Sequence, residues 1–340
     1  MNKILTKRTV FITTFAVLAC NITSFFNQVS PEKLDFPKTT YSRIGWLNDQ
    51  LVAVVDDPYL LVELKFAKQG DSSFTSILME NNQTCSYSTR YHVQDIFHNN
   101  TIQINKKCFT EPYAIEHILH YDWDTQSVKK VFGPLPLGTT VIYWNPNETQ
   151  GLVLFADAFA KKTLYSITKD DFGPLDISII DEGKIWNFSD FYPDFPDVEA
   201  TTGNVGRADW SPNGNSIVFF ASPDSVGKTG FERMSARYKI YVMDAVAQEP
   251  EPILDNIYFP FIIKWSPDSK YLAFIGRYKD SSSGIWLYTF EDSSVSMIDQ
   301  GDFRDILWNQ DSKSLIAIKC ASVFECQDTD ILKYYISGIK

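Results

Sequence analysis

Short apolar and aromatic runs alternate along the chain with clusters of Pro, Asn, Asp, Ser and Gly, and the runs return in a fixed order. In the best copies the alternation leads up to a tryptophan and a turn follows at once. These copies are Ala208-Asp209-Trp210-Ser211-Pro212-Asn213-Gly214 and Ile263-Lys264-Trp265-Ser266-Pro267-Asp268-Ser269. Proline fixes one φ, and Asn, Asp or Gly tolerates the left-handed conformation that a tight strand reversal requires. The runs that follow, 216–220 and 271–275, are β-branched and aromatic, the composition of a central strand. Third strands are predicted at 238–244 and 284–289, and short fourth strands at 250–254 and 294–298.

Weaker copies fit the same template. Trp308-Asn309-Gln310-Asp311-Ser312, Trp144-Asn145-Pro146-Asn147 and Trp46-Leu47-Asn48-Asp49 each precede an apolar strand, and Phe97 takes the place of tryptophan in one further copy. Self-similarity at about 40–50 residues marks units that cannot bury their own faces and must stack on neighbours. Four antiparallel strands per unit make a propeller blade. The expected architecture is all-β, a six-bladed β-propeller with blades at about 42–82, 92–132, 139–182, 204–255, 258–299 and 303–340. The last blade lacks a clear fourth strand, and the segment 36–41 is expected to complete it and close the ring without a bare edge.

The Trp-Ser-Pro-Asp/Asn turn, the strand after it and the Ile240-Tyr241-Val242-Met243-Asp244 third strand resemble the repeat of TolB-type propellers. The same repeat occurs in the propeller domains of prolyl oligopeptidase-like enzymes. The resemblance covers about residues 40–340 and implies a protein-binding propeller at a bacterial envelope, which in that family meets a peptidoglycan-associated lipoprotein. No separate N-terminal domain of the TolB kind is seen here, so the partner's identity does not carry over. One fold hosts many jobs, and function has to be sought in the site.

The leader sets the compartment. Lys3, Lys7 and Arg8 precede an uncharged run from Thr9 to Ala19, the layout of a secretory signal over residues 1–20, with a linker at 21–35. Its end, Val17-Leu18-Ala19-Cys20, is similar to a lipobox, in which Cys20 is lipidated and becomes the mature N-terminus; Leu18 departs from the commoner small residue there. A plainly cleaved signal and an uncleaved anchor are the alternatives, and all three place the body outside the cytoplasm. The whole chain carries 31 Lys and Arg against 42 Asp and Glu. Its acidity disfavours nucleic acid as a partner. Four further cysteines form two sequence-local pairs, and disulfides Cys85–Cys108 and Cys320–Cys326 are expected in an oxidising compartment.

Catalytic motifs are missing. There is no Gly-X-Ser-X-Gly nucleophile elbow, no acid-rich calcium loop and no metal-ligand spacing, so no catalytic residue, metal or cofactor is expected. His117 and His120 fall on a predicted third strand, where residues three apart point to opposite faces. What remains are surfaces. The tryptophans read as packing between blades, whereas Arg43, Gln94, Arg207, Asp209, Lys264 and Asp305 sit on the innermost strands, where burial of charge is costly. They either line an axial channel or pair with one another. The second surface is the long connection at 183–203, whose aromatics Trp186, Phe188, Phe191, Tyr192 and Phe195 lie among acids and prolines. A loop this long is usually functional, and it either packs on the propeller or anchors a partner. The sequence therefore points to a non-enzymatic, exported and lipid-anchored protein-interaction propeller with envelope proteins as partners. The alternative is a propeller that binds, with or without hydrolysis, a small molecule or glycan at the channel mouth.

Overall fold

A computed structural model describes residues 30–55, 63–79, 88–97, 99–109, 114–135, 139–147, 149–156, 162–168, 184–186, 205–222, 236–246, 250–321, 326 and 328–336. The described residues contain strands and no helix. A first sheet joins β2 (Tyr41–Leu47), β3 (Gln50–Val55), β4 (Glu63–Lys68) and β5 (Phe74–Leu78) in sequence order. A second joins β6 (Ser88–Ile96), β7 (Thr101–Phe109), β8 (Ala114–Asp122) and β9 (Ser127–Leu135). A third joins β10 (Thr139–Trp144), β11 (Gln150–Ala156), β12 (Lys162–Thr168) and β13 (Lys184–Trp186).

The fourth sheet has seven strands: β14 (Val205–Trp210), β15 (Ser216–Ala221), β16 (Tyr238–Asp244), β17 (Pro250–Trp265), β18 (Tyr271–Tyr278), β19 (Ser283–Thr289) and β20 (Ser294–Gln300). It is two four-stranded units fused through β17. The first part of β17 pairs with β16, from Met243↔Pro250 to Tyr238↔Ile257, and its second part pairs with β18, ending at Trp265↔Leu272. The sequence template expects two separate strands, 250–254 and one leading to Trp265. Instead the register shifts between Tyr258 and Ile262, and Asn256 and Phe259 take left-handed φ values of 59° and 50°. A bulge of this kind re-aims a strand without breaking it. Pro250 and Pro252 are tolerated because that half of β17 is the outer strand of its unit.

The last sheet is β21 (Phe303–Trp308), β22 (Ser314–Cys320), β23 (Thr329–Tyr335) and, from the other end of the chain, β1 (Glu32–Lys33). The closing strand is thus Glu32–Lys33, paired Glu32↔Lys333 and Lys33↔Leu332, and not the expected 36–41. Pro37 cannot donate to a ladder. Its carbonyl accepts from the Tyr41 hydroxyl at 2.6 Å, and Leu34 is buried instead. In the third unit Lys184–Trp186 is the strand that pairs with β12.

Cores lie between units. Leu47, Val52 and Phe66 of the first unit meet Tyr91, Ile96 and Ile104 of the second. Phe220 packs with Ile263 and Phe274 across the fourth and fifth, and Ile275 and Ile285 with Phe303 and Ile306 across the fifth and sixth. Tyr41, Ile44 and Leu51 meet Ile316, Ile318 and Ile331, which brings the last unit back to the first. Full burial of each such side chain is worth about 1.5–3 kcal/mol, so the stacking between units is the main source of stability.

Antiparallel order gives the ring two unlike faces. Inner strands start at one face, here the entry face, and end at the other, the turn face. At the turn face β2 passes to β3 through Asn48 and Asp49 alone, both at positive φ (50° and 57°), as a two-residue hairpin requires. In the Trp-Ser-Pro copies the serine organises the reversal. The Tyr271 N–H donates to Ser266 Oγ at 2.9 Å, Ser266 Oγ donates to Asp268 at 2.6 Å, and the Ser269 N–H closes the turn on the Ser266 carbonyl. Ser211 repeats this with Ser216 and Asn213. Asn145 does the same work through its amide oxygen, which accepts from the Thr149 and Gln150 N–H groups.

Candidate functional site

The strand nearest the axis in each unit is a sheet edge, so half of its backbone N–H groups have no ladder partner. Here neighbouring units satisfy some of them with carboxylates. Asp305 Oδ2 accepts the Ile44 N–H at 3.0 Å, and Asp209 Oδ2 accepts the Trp265 N–H at 2.8 Å. Asp305 Oδ1 also accepts the Ile306 N–H, and Asp95 Oδ1 the Ile96 N–H. Lys264 Nζ stands 3.5 Å from Asp95 and 3.9 Å from Asp209. Arg43 donates to the Gln94 and Ser42 carbonyls, and the Arg207 guanidinium lies 5.2 Å from the centre of the Phe261 ring.

Charges in this ring perturb one another. Burial pushes the Asp209 carboxyl up to about 6, against the pull of Lys264 and the Trp265 N–H. Burial also raises Asp305, opposed by Arg43 and Lys264. For Lys264 burial disfavours the ammonium, but Asp95, Asp209 and Asp305 together outweigh it and hold the pKa above the usual lysine range. Burial raises the Tyr143 phenol, against the pull of Arg207.

Of the six channel residues read from the sequence, Arg43, Gln94, Arg207, Lys264 and Asp305 line one cavity, and Asp209 stands behind it, held to Lys264 and Trp265. Asp95 belongs with them and is missed by the sequence template. The template puts Phe97 in the tryptophan position, yet Ile96 pairs with Ile102 as Trp308 pairs with Leu315 and Trp265 with Leu272. Phe97 donates its N–H to Thr101 as Ser266 donates to Tyr271, so it occupies the place after the tryptophan. Moving the register by one turns Asp95 to the side that Lys264 and Asp209 occupy. The usable signal is the short turn to Thr101: Ile96 and Ile102 pair six residues apart, against seven for Trp144, Trp210, Trp265 and Trp308 with their partners.

The cavity measures about 30 Å³. A water needs at least about 10–15 Å³ on this measure, so there is room for one or two waters and not for a sugar or a nucleotide. Three carboxylates, one ammonium and two guanidiniums balance there, and the carboxylates are engaged with backbone. The arrangement is an internal plug that ties units together.

The tryptophans reinforce it. Indole N–H groups reach back to the preceding unit: Trp210 to the Tyr143 carbonyl at 3.0 Å and Trp308 to the Lys264 carbonyl at 3.2 Å, while Trp46 reaches the Trp308 carbonyl at 3.5 Å. Trp144 donates instead to buried Gln103 at 2.9 Å, within a polar contact that includes Gln94 and His120. Trp265 departs from the pattern: its ring stacks on Phe290, and its indole N–H is unpartnered among the described residues. His120 is buried against Trp144 and Phe97, and His117 lies on the same strand with its pKa lowered by burial and Lys106. Among the described residues no group of three or more His, Cys, Asp or Glu is placed to hold a metal.

Trp186 is not in a loop, since it ends β13. Phe188, Phe191, Tyr192 and Phe195 lie outside the described residues, as do Cys20 and Cys85. Cys108 is disulfide-bonded to a cysteine outside the described residues. Cys320 and Cys326 form a disulfide with Cα atoms 4.9 Å apart, beside which Arg304 donates to the Cys326 carbonyl.

No protein-family model matches the chain, and no curated protein matches its sequence. Solved structures do. TolB from Acinetobacter baumannii is similar at a TM-score of 0.53 and 12% identity over 87% of this chain and 63% of that one, so the chain spans less than two thirds of that protein. A TolB structure from Agrobacterium tumefaciens, itself described as putative, gives 0.45 at 13% identity over 74% and 76%. Oligogalacturonate lyase from Vibrio parahaemolyticus gives 0.46 at 12% identity over 90% and 70%. At such identities the likeness is one of fold. The chain folds as a TolB-like β-propeller.

Proposed function

We propose that the chain is a non-enzymatic protein-interaction module of the bacterial cell envelope, exported by its leader and held at a membrane by a lipid on Cys20. The observation that carries this reading is the filled axis: a 30 Å³ cavity surrounded by mutually compensated charge offers no seat for a substrate. Recognition is then left to the outer surface, and the TolB-like fold favours a protein as what is recognised there. The entry face is the side proposed to meet it. The strands flanking 56–62, 157–161 and 223–235 open onto that face, and so do those flanking 187–204, where the sequence concentrates its aromatics.

Cross-linking in intact cells followed by mass spectrometry of the purified full chain tests this. One envelope protein should be enriched, the enrichment should fall at least tenfold on Phe191→Ser, and it should survive Arg207→Gln. Equal recovery by an unrelated exported propeller would overturn the assignment. The mass of the mature N-terminal peptide tests the anchor independently, and an unmodified peptide containing Cys20 would end that part of the proposal.

A further inference from the structure

A second cavity lies away from the axis, on the flank where the first two units meet. It measures about 230 Å³, and its walls are β5 on one side and the end of β8 with its following turn on the other. Thr75, Ser76 and Gln126 supply hydroxyl and amide groups, Tyr121 and Trp123 supply rings, and Leu78, 77% exposed, forms the lip. Among the described residues no charged side chain lines it. Asp122, between Tyr121 and Trp123 in the chain, is paired with Lys129.

The walls are held in place before any ligand arrives. The Trp123 ring stands edge-on to Phe66 with centroids 5.3 Å apart, and the Trp123 backbone N–H donates to the Asn100 carbonyl at 3.0 Å. The next residue, Asp124, accepts from the Asn48 and Asn100 side chains at 2.9 and 3.0 Å, which locks the turn to the first unit. The Thr125 N–H donates to Asp122, and Gln126 is fixed at φ 51°. Preorganisation of this kind lowers the cost of binding. On the opposite wall β5 is an edge strand, so part of its backbone faces outward as further donors and acceptors.

We propose that this groove binds one ring of a neutral glycan. An aromatic face with negative π density suits the weakly positive C–H face of a pyranose. Uncharged hydroxyl and amide groups suit its hydroxyls, and the described lining carries no charge to meet a phosphate or carboxylate. The volume falls below the roughly 300–1,000 Å³ of drug-sized sites, which suits a single sugar ring whose neighbours extend along the open flank. This site is independent of the protein partner proposed above.

The test uses the purified full-length protein with maltotriose, cellotriose, mannotriose, galactotriose and chitotriose, and trigalacturonate as the anionic control, followed by tryptophan fluorescence and calorimetry. At least one neutral trisaccharide should bind with a Kd near or below about 1 mM, and trigalacturonate should bind at least tenfold more weakly. Gln126→Ala should weaken binding about tenfold, and Ser76→Tyr, which fills the groove from an exposed position, should abolish it with melting unchanged. Trp123 supports the core through Phe66, so Trp123→Phe replaces a truncation there and should weaken binding about threefold. No neutral binding at 10-fold above that Kd, preference for trigalacturonate, or binding untouched by Ser76→Tyr would each overturn the proposal.

Discussion

The two faces of the ring are made under different constraints. At the turn face the chain must reverse within a few residues, and each reversal is wired: Ser211, Ser266 and Asn145 bond the backbone of their own turns, and the Asp268 N–H donates to Ser312 in the next unit. At the entry face strands are joined by connections of very different length, from Gly301 and Asp302 between β20 and β21 to residues 187–204 between β13 and β14. The repeat in the sequence is therefore a record of the turn face. Variation is concentrated where the fold does not need a particular residue, which is where a recognition surface can be built at little cost in stability.

The comparison breaks most readily at the plug between the faces. Lys264→Met leaves Asp95, Asp209 and Asp305 without their shared cation. A fully buried pair would lose roughly 3–5 kcal/mol on such a change, and with the Lys264 side chain 28% exposed about 2–4 kcal/mol is expected in urea melts. Lys270→Met, at the exposed turn face, should stay within about 0.5 kcal/mol.

Next in size is Gly45→Ala. A Cβ there would sit 2.5 Å from Ile96 Cβ, and overpacking between the first two units should cost about 1–3 kcal/mol. The double variant with Ile96→Val should recover part of it, and strict additivity would show that the two side chains do not compete.

Acid titration separates the axis from the turn face by sign. Asp209, whose carboxyl is raised from 3.8 to about 6, binds its proton more tightly when folded. Its contribution is complete below about pH 4 and is lost as pH rises through 6. Asp122 is lowered to about 2, through Lys129 and then the Thr125 N–H, so its contribution is present above about pH 4 and lost as pH falls through 2. Asp209→Asn should flatten the stability profile between pH 4 and 6, and Asp122→Asn should flatten it below 4. Thermal melts at half-unit intervals decide, and an exchanged pattern would refute the assignment.

The smallest expected effects sharpen the contrast. Ser266→Ala removes a buried hub and should cost about 1 kcal/mol by leaving the Tyr271 N–H without its acceptor and taking one donor from Asp268, which keeps the Lys270 N–H. Replacing residues 226–232, in the connection that joins the entry-face ends of β15 and β16, with Gly and Ser should change stability by about 0.5 kcal/mol or less. If the two exchanges cost the same, the faces do not differ as described.

The units and their order are legible because a turn needs particular residues at particular places, and Trp210, Ser211, Pro212 and Gly214 state that need in sequence. Arg43, Arg207, Lys264 and Asp305, which line the small cavity, are legible too, since a charge on an innermost strand has few explanations. Asp95 is hidden by its own unit, where a shorter turn and the absence of tryptophan displace the template by one residue, and one residue on a strand is the difference between two sides. Glu32–Lys33 is hidden because a two-residue strand has no period to detect. The flank cavity is invisible for a different reason. Ser76 and Trp123 belong to different units, and no spacing rule relates residues that meet only through the stacking of whole sheets.

The closing strand has a mechanical consequence. Everything that precedes Glu32 connects to the ring through β1, which holds by the pairs Glu32↔Lys333 and Lys33↔Leu332, the Leu34 N–H on the Ile331 carbonyl, and the ion pair Lys33–Asp330. A pull from the N-terminal side is therefore delivered to the outermost strand of the last unit, where bonds can yield one after another. The inner strands and their indole contacts are reached only after that strand has come away. The seam then acts as a fuse: under tension β1 lengthens the N-terminal connection before load reaches the rest of the ring.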